Sequence, residues 1–385
     1  MHIKRFEVVG LPKADSPSIA ENLNSDLNIF TGRNGSGKTT LLKLLWYVIS
    51  GNIEHAAREV PFSSVYVETD VYSIRIKKRD TEIEEVEFVE NDELEVIDAY
   101  YDEDGDAVND PASEANAKVM GIGSSVFFPT FRRIEGGFSI RPSNRRLGFT
   151  SNRPSNATRS QMALEESLVE LSRRMTVESH TFVASLSTID IVDLLMKRYT
   201  EMSEQSNTLQ QQTSQAIIDR IRQYKKESGA HTVSENPDAV IDKIRAEIEG
   251  LDQKRAQILA PLDAVRSLVE RLFQHTGIVL NSRLSFGDAA TAVNSEALSA
   301  GEKQMLSFIC YNAFYRNSVI FIDEPELSLH VDWQRQLFPI LQSQGTSNQF
   351  IIATHSPFIY GKFPEKEIAM NIDRGESVAG VSGNA

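Results

Sequence analysis

The segment Gly32-Arg33-Asn34-Gly35-Ser36-Gly37-Lys38-Thr39 narrows the possible folds of this chain more than any other. It follows Asp26-Leu27-Asn28-Ile29-Phe30-Thr31, which reads as a short strand. It precedes Thr40-Leu41-Leu42-Lys43-Leu44-Leu45-Trp46, which reads as an apolar helix. A strand, a glycine-rich turn and a helix start at these spacings make a phosphate loop. Its glycines let backbone N–H groups converge on a phosphate that also meets the positive end of the helix dipole. Lys38 is then placed to bridge the β- and γ-phosphates of a nucleotide, and the Thr39 hydroxyl to ligate Mg2+. The expected nucleotide-binding residues are Gly32, Arg33, Asn34, Gly35, Ser36, Gly37, Lys38, Thr39 and Thr40.

Three later segments bear on the same chemistry. Val319-Ile320-Phe321-Ile322-Asp323-Glu324 is an apolar strand that ends in two carboxylates. By itself it could be a solvated strand end. Beside a phosphate loop, Asp323 is expected in the Mg2+ shell and Glu324 as general base for the attacking water. Leu298-Ser299-Ala300-Gly301-Glu302-Lys303-Gln304 opens a helix, and taken alone it reads as a capping box with Glu302 reaching back to Ser299. Ala353-Thr354-His355-Ser356-Pro357 places a histidine just after a strand, where a lone histidine is more often structural than catalytic.

Taken in order, the four segments resemble the ABC ATPase superfamily: Walker A at 32–39, signature at 298–304, Walker B at 319–324 and a switch histidine at His355. A D-loop falls around Leu327-Ser328-Leu329-His330. The resemblance implies an ATPase that hydrolyses ATP to ADP and phosphate in a head-to-tail homodimer or higher homo-oligomer, with ATP sandwiched between subunits. It implies that Ser299, Gly301 and Glu302 serve a partner's nucleotide in trans, and that Glu324, His355 and Lys38 are the catalytic residues of their own subunit. ATP and Mg2+ are the implied cofactors, with Thr39 and Asp323 on the metal.

The gap of more than 250 residues between Thr39 and Leu298 is longer than in transport ATPases. Asp323-Glu324-Pro325-Glu326-Leu327-Ser328-Leu329-His330 resembles the RecF, SMC-like and OLD-like branch, whose members carry this wording. No glutamine loop stands at its usual place. Instead Val126-Phe127-Phe128-Pro129-Thr130-Phe131-Arg132-Arg133-Ile134-Glu135 resembles the equivalent segment of stand-alone ATPases in bacterial anti-phage systems. The 30 residues after His355 carry no nuclease pattern, so an effector nuclease would act in trans. The leading expectation is a switch ATPase holding an effector in anti-phage defence. The alternative is an SMC- or RecF-like DNA-repair clamp.

The expected fold class is α/β: an ABC head at 1–155 and 276–385, with a helical or short coiled-coil insertion at 156–275. Residues 3–9 and 26–31 read as strands, and the strand at Gly32's turn should share a sheet with 319–322 and 349–353. Period-2 alternation from 65 to 101 argues for an antiparallel meander, which extends as an acidic unit to 115. Asp102 to Asp106 superficially resembles a calcium loop, but the glutamate expected at its twelfth position is replaced by Ser113. Within the insertion, Leu195, Tyr199, Met202, Leu209 and Ala216 define one helical seam. Ile241, Ile244, Ile248, Leu251, Ile258, Leu262, Val265, Val269 and Leu272 define another, with a kink or restart expected at Pro261. Two helices of about 30 residues would make an arm of about 45 Å, and a compact helical subdomain is the other reading.

The formal net charge of −14 is unevenly spread. Residues 80–115 hold sixteen Asp and Glu and no Lys or Arg, whereas 125–175 holds nine arginines against four glutamates. The acids read as a solvated face of the meander, or as a docking site for a basic effector. The arginines could contact nucleic acid, a nucleotide or an acidic partner, or lie on a solvated surface. The single cysteine, Cys310, excludes an internal disulfide and reads as a buried core thiol. Met1-His2-Ile3-Lys4-Arg5 leads into no long apolar run, and no stretch suits a membrane span, so a cytoplasmic location is expected. The tail from Gly375 is expected to be mobile.

Overall fold

The computed structural model describes residues 1–11, 17–100, 109–130, 133–134, 167–186, 188–229, 237–272 and 299–370. The calcium-like turn at 102–106, most of the arginine-rich segment and the tail lie outside them. The chain divides into two units, one of Met1–Ser187 with Leu298–Ala385 and one of Thr188–Ala297.

The first unit is an α/β head with two six-stranded sheets. One sheet contains β1 (Ile3–Val9), β2 (Ile19–Asn22), β4 (Ser64–Thr69), β5 (Tyr72–Arg79), β6 (Glu82–Glu90) and β7 (Glu93–Asp98), in the order β2-β1-β4-β5-β6-β7. Every pairing in it is antiparallel. The expected meander is its larger half. Alternate residues of β4 and β5 are buried, which is the period-2 signature of a sheet with one covered face. On the other face, Lys77 Nζ lies 2.5 Å from Glu85 and 3.2 Å from Glu87, so part of the acidic stretch is neutralised by the neighbouring strand.

The other sheet contains β3 (Leu27–Thr31), β8 (Ser125–Phe128), β10 (His180–Phe182), β12 (Val319–Asp323), β13 (Gln349–Ala353) and β14 (Glu367–Ala369). Its order is β10-β8-β12-β13-β3-β14, and all its pairings are parallel. Strands β3, β8, β12 and β13 are buried at every position, as parallel strands covered on both faces must be. A two-stranded pairing of β9 (Arg133–Ile134) with β11 (Ser185–Leu186) completes the strands.

From Leu41 to Ile49 helix α1 (Lys38–Ile49) is apolar and buried apart from Lys43, while Thr39 at its start is exposed. A helix apolar on nearly every side over that length sits inside the domain. It packs on β12 and β13, and its side chains join a core shared with the antiparallel sheet. Trp46 anchors this core, with ring centroids 5.5 Å from Phe127 and 5.4 Å from Phe182. Helices α2 (Ile53–Glu59) and α3 (Pro111–Val119) lie against β6.

The described residues from 167 to 186, expected in the insertion, group with the head, whose unit runs to Ser187; the second expected boundary, at 275/276, lies outside the described residues. Helix α4 (residues 167–175) sends Leu168, Leu171 and Met175 into the head core, and β10 extends the parallel sheet. The expected helical insertion at 156–275 included α4, and nothing in the sequence said which unit it packs against.

The second unit contains α5 (Thr188–Gly229) and α6 (Pro237–Leu272), with 42 and 36 residues. At 1.5 Å per residue they are about 63 and 54 Å long, so the arm rather than the compact subdomain forms. They run antiparallel: Arg220 Nη2 meets Glu247 Oε1 at 2.8 Å, while Thr208 and Leu209 line a groove with Lys254 and Ile258. Helix α6 is continuous through Pro261, so of the expected kink or restart the restart does not occur. The seam also differs at one end. Val240 and Val265 are buried, whereas Ile241 and Ile248 are exposed, because two packed helices cover little more than one stripe of each other.

The remaining helices are α7 (Ala300–Phe314), α8 (Val331–Gln342) and α9 (Pro357–Tyr360). Cys310 of α7 is fully buried, which pushes its thiol up to about 12 and makes it an inert core side chain. No helix among the described residues is long and apolar enough to cross a membrane.

Candidate functional site: the carboxyl ends of four parallel strands

Parallel pairing brings the motifs together. In register, Ala353 lies opposite both Asp323 and Phe30, so the chain leaves β12, β13 and β3 at one level. Ligand sites of open parallel sheets form at this edge. Past β3 the chain turns at Gly32, whose φ of 142° is open only to glycine, and an added Cβ would lie 2.5 Å from the Met370 carbonyl oxygen. The turn delivers Ser36, Gly37 and Lys38, all buried, while Arg33, Asn34 and Gly35 are exposed and Thr40 is half-buried.

Two features fit this loop to phosphate. No side chain caps the N-terminus of α1 and its first turn holds no acid, whereas Asp110, Ser299 and His330 cap α3, α7 and α8. The Ser36 hydroxyl is buried without a hydrogen-bond partner. Free helix N–H groups and an orphaned hydroxyl are the donors a phosphate takes.

Lys38 Nζ donates to the carbonyls of Gly32 (2.9 Å) and Arg33 (3.2 Å) and to His355 Nε2 (2.9 Å). Burial lowers the Lys38 ammonium below its usual range, against the pull of Glu324, Asp323 and Glu326. His355 is lowered by burial and then by the Lys38 charge, which suits a neutral ring accepting through Nε2. Glu324 Oε1 is 3.3 Å from the same nitrogen. Loss of water around Glu324, followed by the Glu326 and Asp323 carboxylates, pushes it up to about 7, where a general base at neutral pH is poised. Its backbone is left-handed, with φ 51°, and its N–H donates to Ala353 O at 2.9 Å. A non-glycine residue in that region costs about 1–3 kcal/mol and persists only where its surroundings hold it.

Asp323 is fully buried, and Thr39 Oγ1 donates to its Oδ1 at 3.0 Å. Among the described residues no three His, Cys, Asp or Glu side chains gather as metal ligands. One carboxylate, hydroxyls and phosphate oxygens are nevertheless the donor set that suits Mg2+. Lys38, Thr39, Asp323, Glu324 and His355 therefore share one site.

The residues expected to act in trans stand at the start of α7. Ser299 N donates to Glu302 Oε2 at 2.7 Å and Glu302 N to Ser299 Oγ at 3.3 Å, completing the capping box. A Cβ at Gly301 would lie 2.5 Å from the carbonyl oxygen of Ser328, itself left-handed at φ 69°. Gln304 Nε2 donates to Pro325 O at 3.0 Å. The start of α7 is thus keyed to the turn that follows Glu324.

Sequence reasoning gave no role to Glu326 or Thr130. Glu326 accepts from Thr354 Oγ1 and from the His355 N–H, both at 2.7 Å, and so fixes the histidine's loop. A second carboxylate two residues past Glu324 was its only signal. Thr130 donates to Asp323 Oδ2; it lies in the 126–135 segment that stands in place of a glutamine loop, but nothing in that segment marked the threonine itself.

A phosphate loop beside a carboxylate-tipped strand and a histidine-tipped strand, with a capped serine-glycine helix start behind them, defines an ABC-type ATPase domain. The family AAA_21, described as "AAA domain, putative AbiEii toxin, Type IV TA system", matches residues 133–360. That is more than half of the chain, and the chain belongs to this family. No curated protein matches it. Among solved structures it is similar to the Smc head domain of Pyrococcus furiosus with an extended coiled coil, bound to the C-terminal domain of ScpA. There the identity is 12%, covering 94% of this chain and 91% of that one, with a TM-score of 0.39. An SmcHead bound to the C-winged helix domain of ScpA matches at 11% identity, with the same coverages and a TM-score of 0.43. The Smc head of Pyrococcus yayanosii matches at 12% identity, covering 94% and 93%, with a TM-score of 0.38.

Replacing Gly301 by alanine drives a methyl group into a backbone carbonyl, so α7 and the 325–329 turn must separate. A displacement of this kind costs about 100-fold in turnover. Gly301→Ala is expected to lose steady-state phosphate release on that scale while a fluorescent ATP analogue still binds each subunit. Native turnover in the variant would remove the close approach from the account.

Proposed function

We propose that the chain is an ATP-binding and ATP-hydrolysing head that closes on a second copy around ATP and Mg2+, and that closure switches an associated effector in anti-phage defence. The observation that carries this reading is the meeting of Lys38, Glu324 and His355 at one point. Lys38 and the N–H groups of the loop would hold the β- and γ-phosphates, and the orphaned Ser36 hydroxyl would gain a partner there. Thr39 and Asp323 would hold Mg2+, which supplies charge neutralisation on the phosphates when bound. Glu324 takes a proton from the attacking water, and His355 steadies the γ-phosphate and the base from the neighbouring strand. Ser299, Gly301 and Glu302 would present a helix N-terminus to the partner's γ-phosphate, since such a terminus attracts anions.

The family description, which names a putative AbiEii toxin of a Type IV TA system, supports a defence role; the effector, a nuclease in the leading reading, would act in trans in the cytoplasm. A DNA-repair clamp is the second reading, favoured by the two long antiparallel helices inserted between the motifs. Light scattering of the full chain decides closure: ATP with Mg2+ should convert monomer to dimer or a higher multiple. A mass unchanged by saturating ATP would remove the sandwich. Repeating the assay with duplex DNA separates the readings, because salt-sensitive stimulation of turnover belongs to the clamp.

A further inference from the structure

We propose that Thr130 belongs to the divalent-cation site, holding the second oxygen of Asp323 as Thr39 holds the first. The inference deepens the ATPase reading and rests on it.

Strand β8 runs parallel beside β12, with Phe128 opposite Ile322. Two residues further on, Thr130 therefore stands beside the end of β12. Pro129 fixes the backbone between them and keeps Phe128 extended, so the hydroxyl reaches its place with little freedom to lose. There Thr130 Oγ1 donates to Asp323 Oδ2, while Thr39 Oγ1 donates to Oδ1 at 3.0 Å. One fully buried carboxylate is thus gripped by two hydroxyls, one from the phosphate-loop helix and one from the far side of β12.

A threonine that merely ended β8 could hydrogen-bond any nearby backbone group. This one meets the carboxylate that the phosphate-loop threonine also meets. Hydroxyl and carboxylate oxygens are hard donors suited to a small divalent cation, and groups that orient a metal ligand set its affinity. Thr130 is consequently a positioning residue for Asp323. Thr130 lies in the 126–135 segment that stands where a glutamine loop is usual.

The test follows binding of a fluorescent ATP analogue to the full chain as Mg2+ is titrated, with Mn2+ as a spectroscopic probe of the bound ion. Thr130→Val keeps the shape and removes the hydroxyl. It should raise the half-saturating Mg2+ concentration about tenfold, the scale for losing a partner of a metal ligand, and leave affinity in EDTA native. Thr130→Ser restores the hydroxyl and should return the midpoint to near its native value. A Thr130→Val midpoint equal to the native one overturns the proposal. So does an equal loss of affinity with and without metal that serine fails to rescue, since that marks a role in folding. Native chain that binds the analogue with no dependence on Mg2+ removes the cation site, and native chain that binds no analogue removes the ATPase reading itself.

Discussion

Glu324→Gln is expected to bind ATP with native affinity, to hydrolyse it about 100- to 10,000-fold more slowly, and to accumulate as closed dimers. The amide matches the carboxylate in size and its NH2 group can donate toward His355 Nε2, 3.3 Å from the carboxylate oxygen it replaces, so the pocket keeps its shape. The strained backbone at φ 51° is no harder for glutamine than for glutamate. What disappears is the proton acceptor, the one property an amide lacks. The substitution also removes one of three neighbouring negative charges, those of Asp323, Glu324 and Glu326, whose mutual repulsion helps push Glu324 up to about 7. The folded chain should therefore be no less stable than the native one. Phosphate-release assays and sizing with ATP check both halves. Turnover within about threefold of native would show that another group accepts the proton.

Lys38→Ala is expected to abolish nucleotide binding at concentrations that saturate the native chain. The ammonium has two carbonyls and an imidazole within 3.2 Å, so it is already pinned where a phosphate would lie. Two charge-assisted contacts to phosphate contribute about 3 kcal/mol or more, over 100-fold in affinity. Alanine also leaves Asp323, Glu324 and Glu326 without the cation that faces them, so repulsion in the pocket grows. Lys38→Met, which keeps most of the buried stem, separates lost packing from lost charge. Both variants should fail to bind a fluorescent ATP analogue. Native affinity in either would mean that the loop is not the phosphate site.

Much of this protein was legible along the chain because the physics involved is local. A glycine turn between a strand and a helix, a strand ending in two carboxylates, and the alternation from Ser64 to Asp98 each arise from residues within a few positions of one another. The arm was legible as helix for the same reason. Its extent was not, because the Gln- and Ser-rich stretch of α5 has a weak apolar period and is held by α6 rather than by its own seam.

The sequence by itself determined the phosphate loop, the expected base Glu324, the candidate metal carboxylate Asp323, the capping box at Ser299 and the α/β class. Tertiary structure alone decided which unit α4 joins, that Glu326 holds the loop of His355, that Gly301 must let a carbonyl approach, and that Thr130 reaches Asp323. The reason is physical. Each of these depends on which strand lies beside which, and β8, β12, β13 and β3 are neighbours through pairings between residues up to about 325 positions apart. Closing loops of that length leaves no periodic trace in the sequence, because the cost is met by the assembled sheet and not by any one segment.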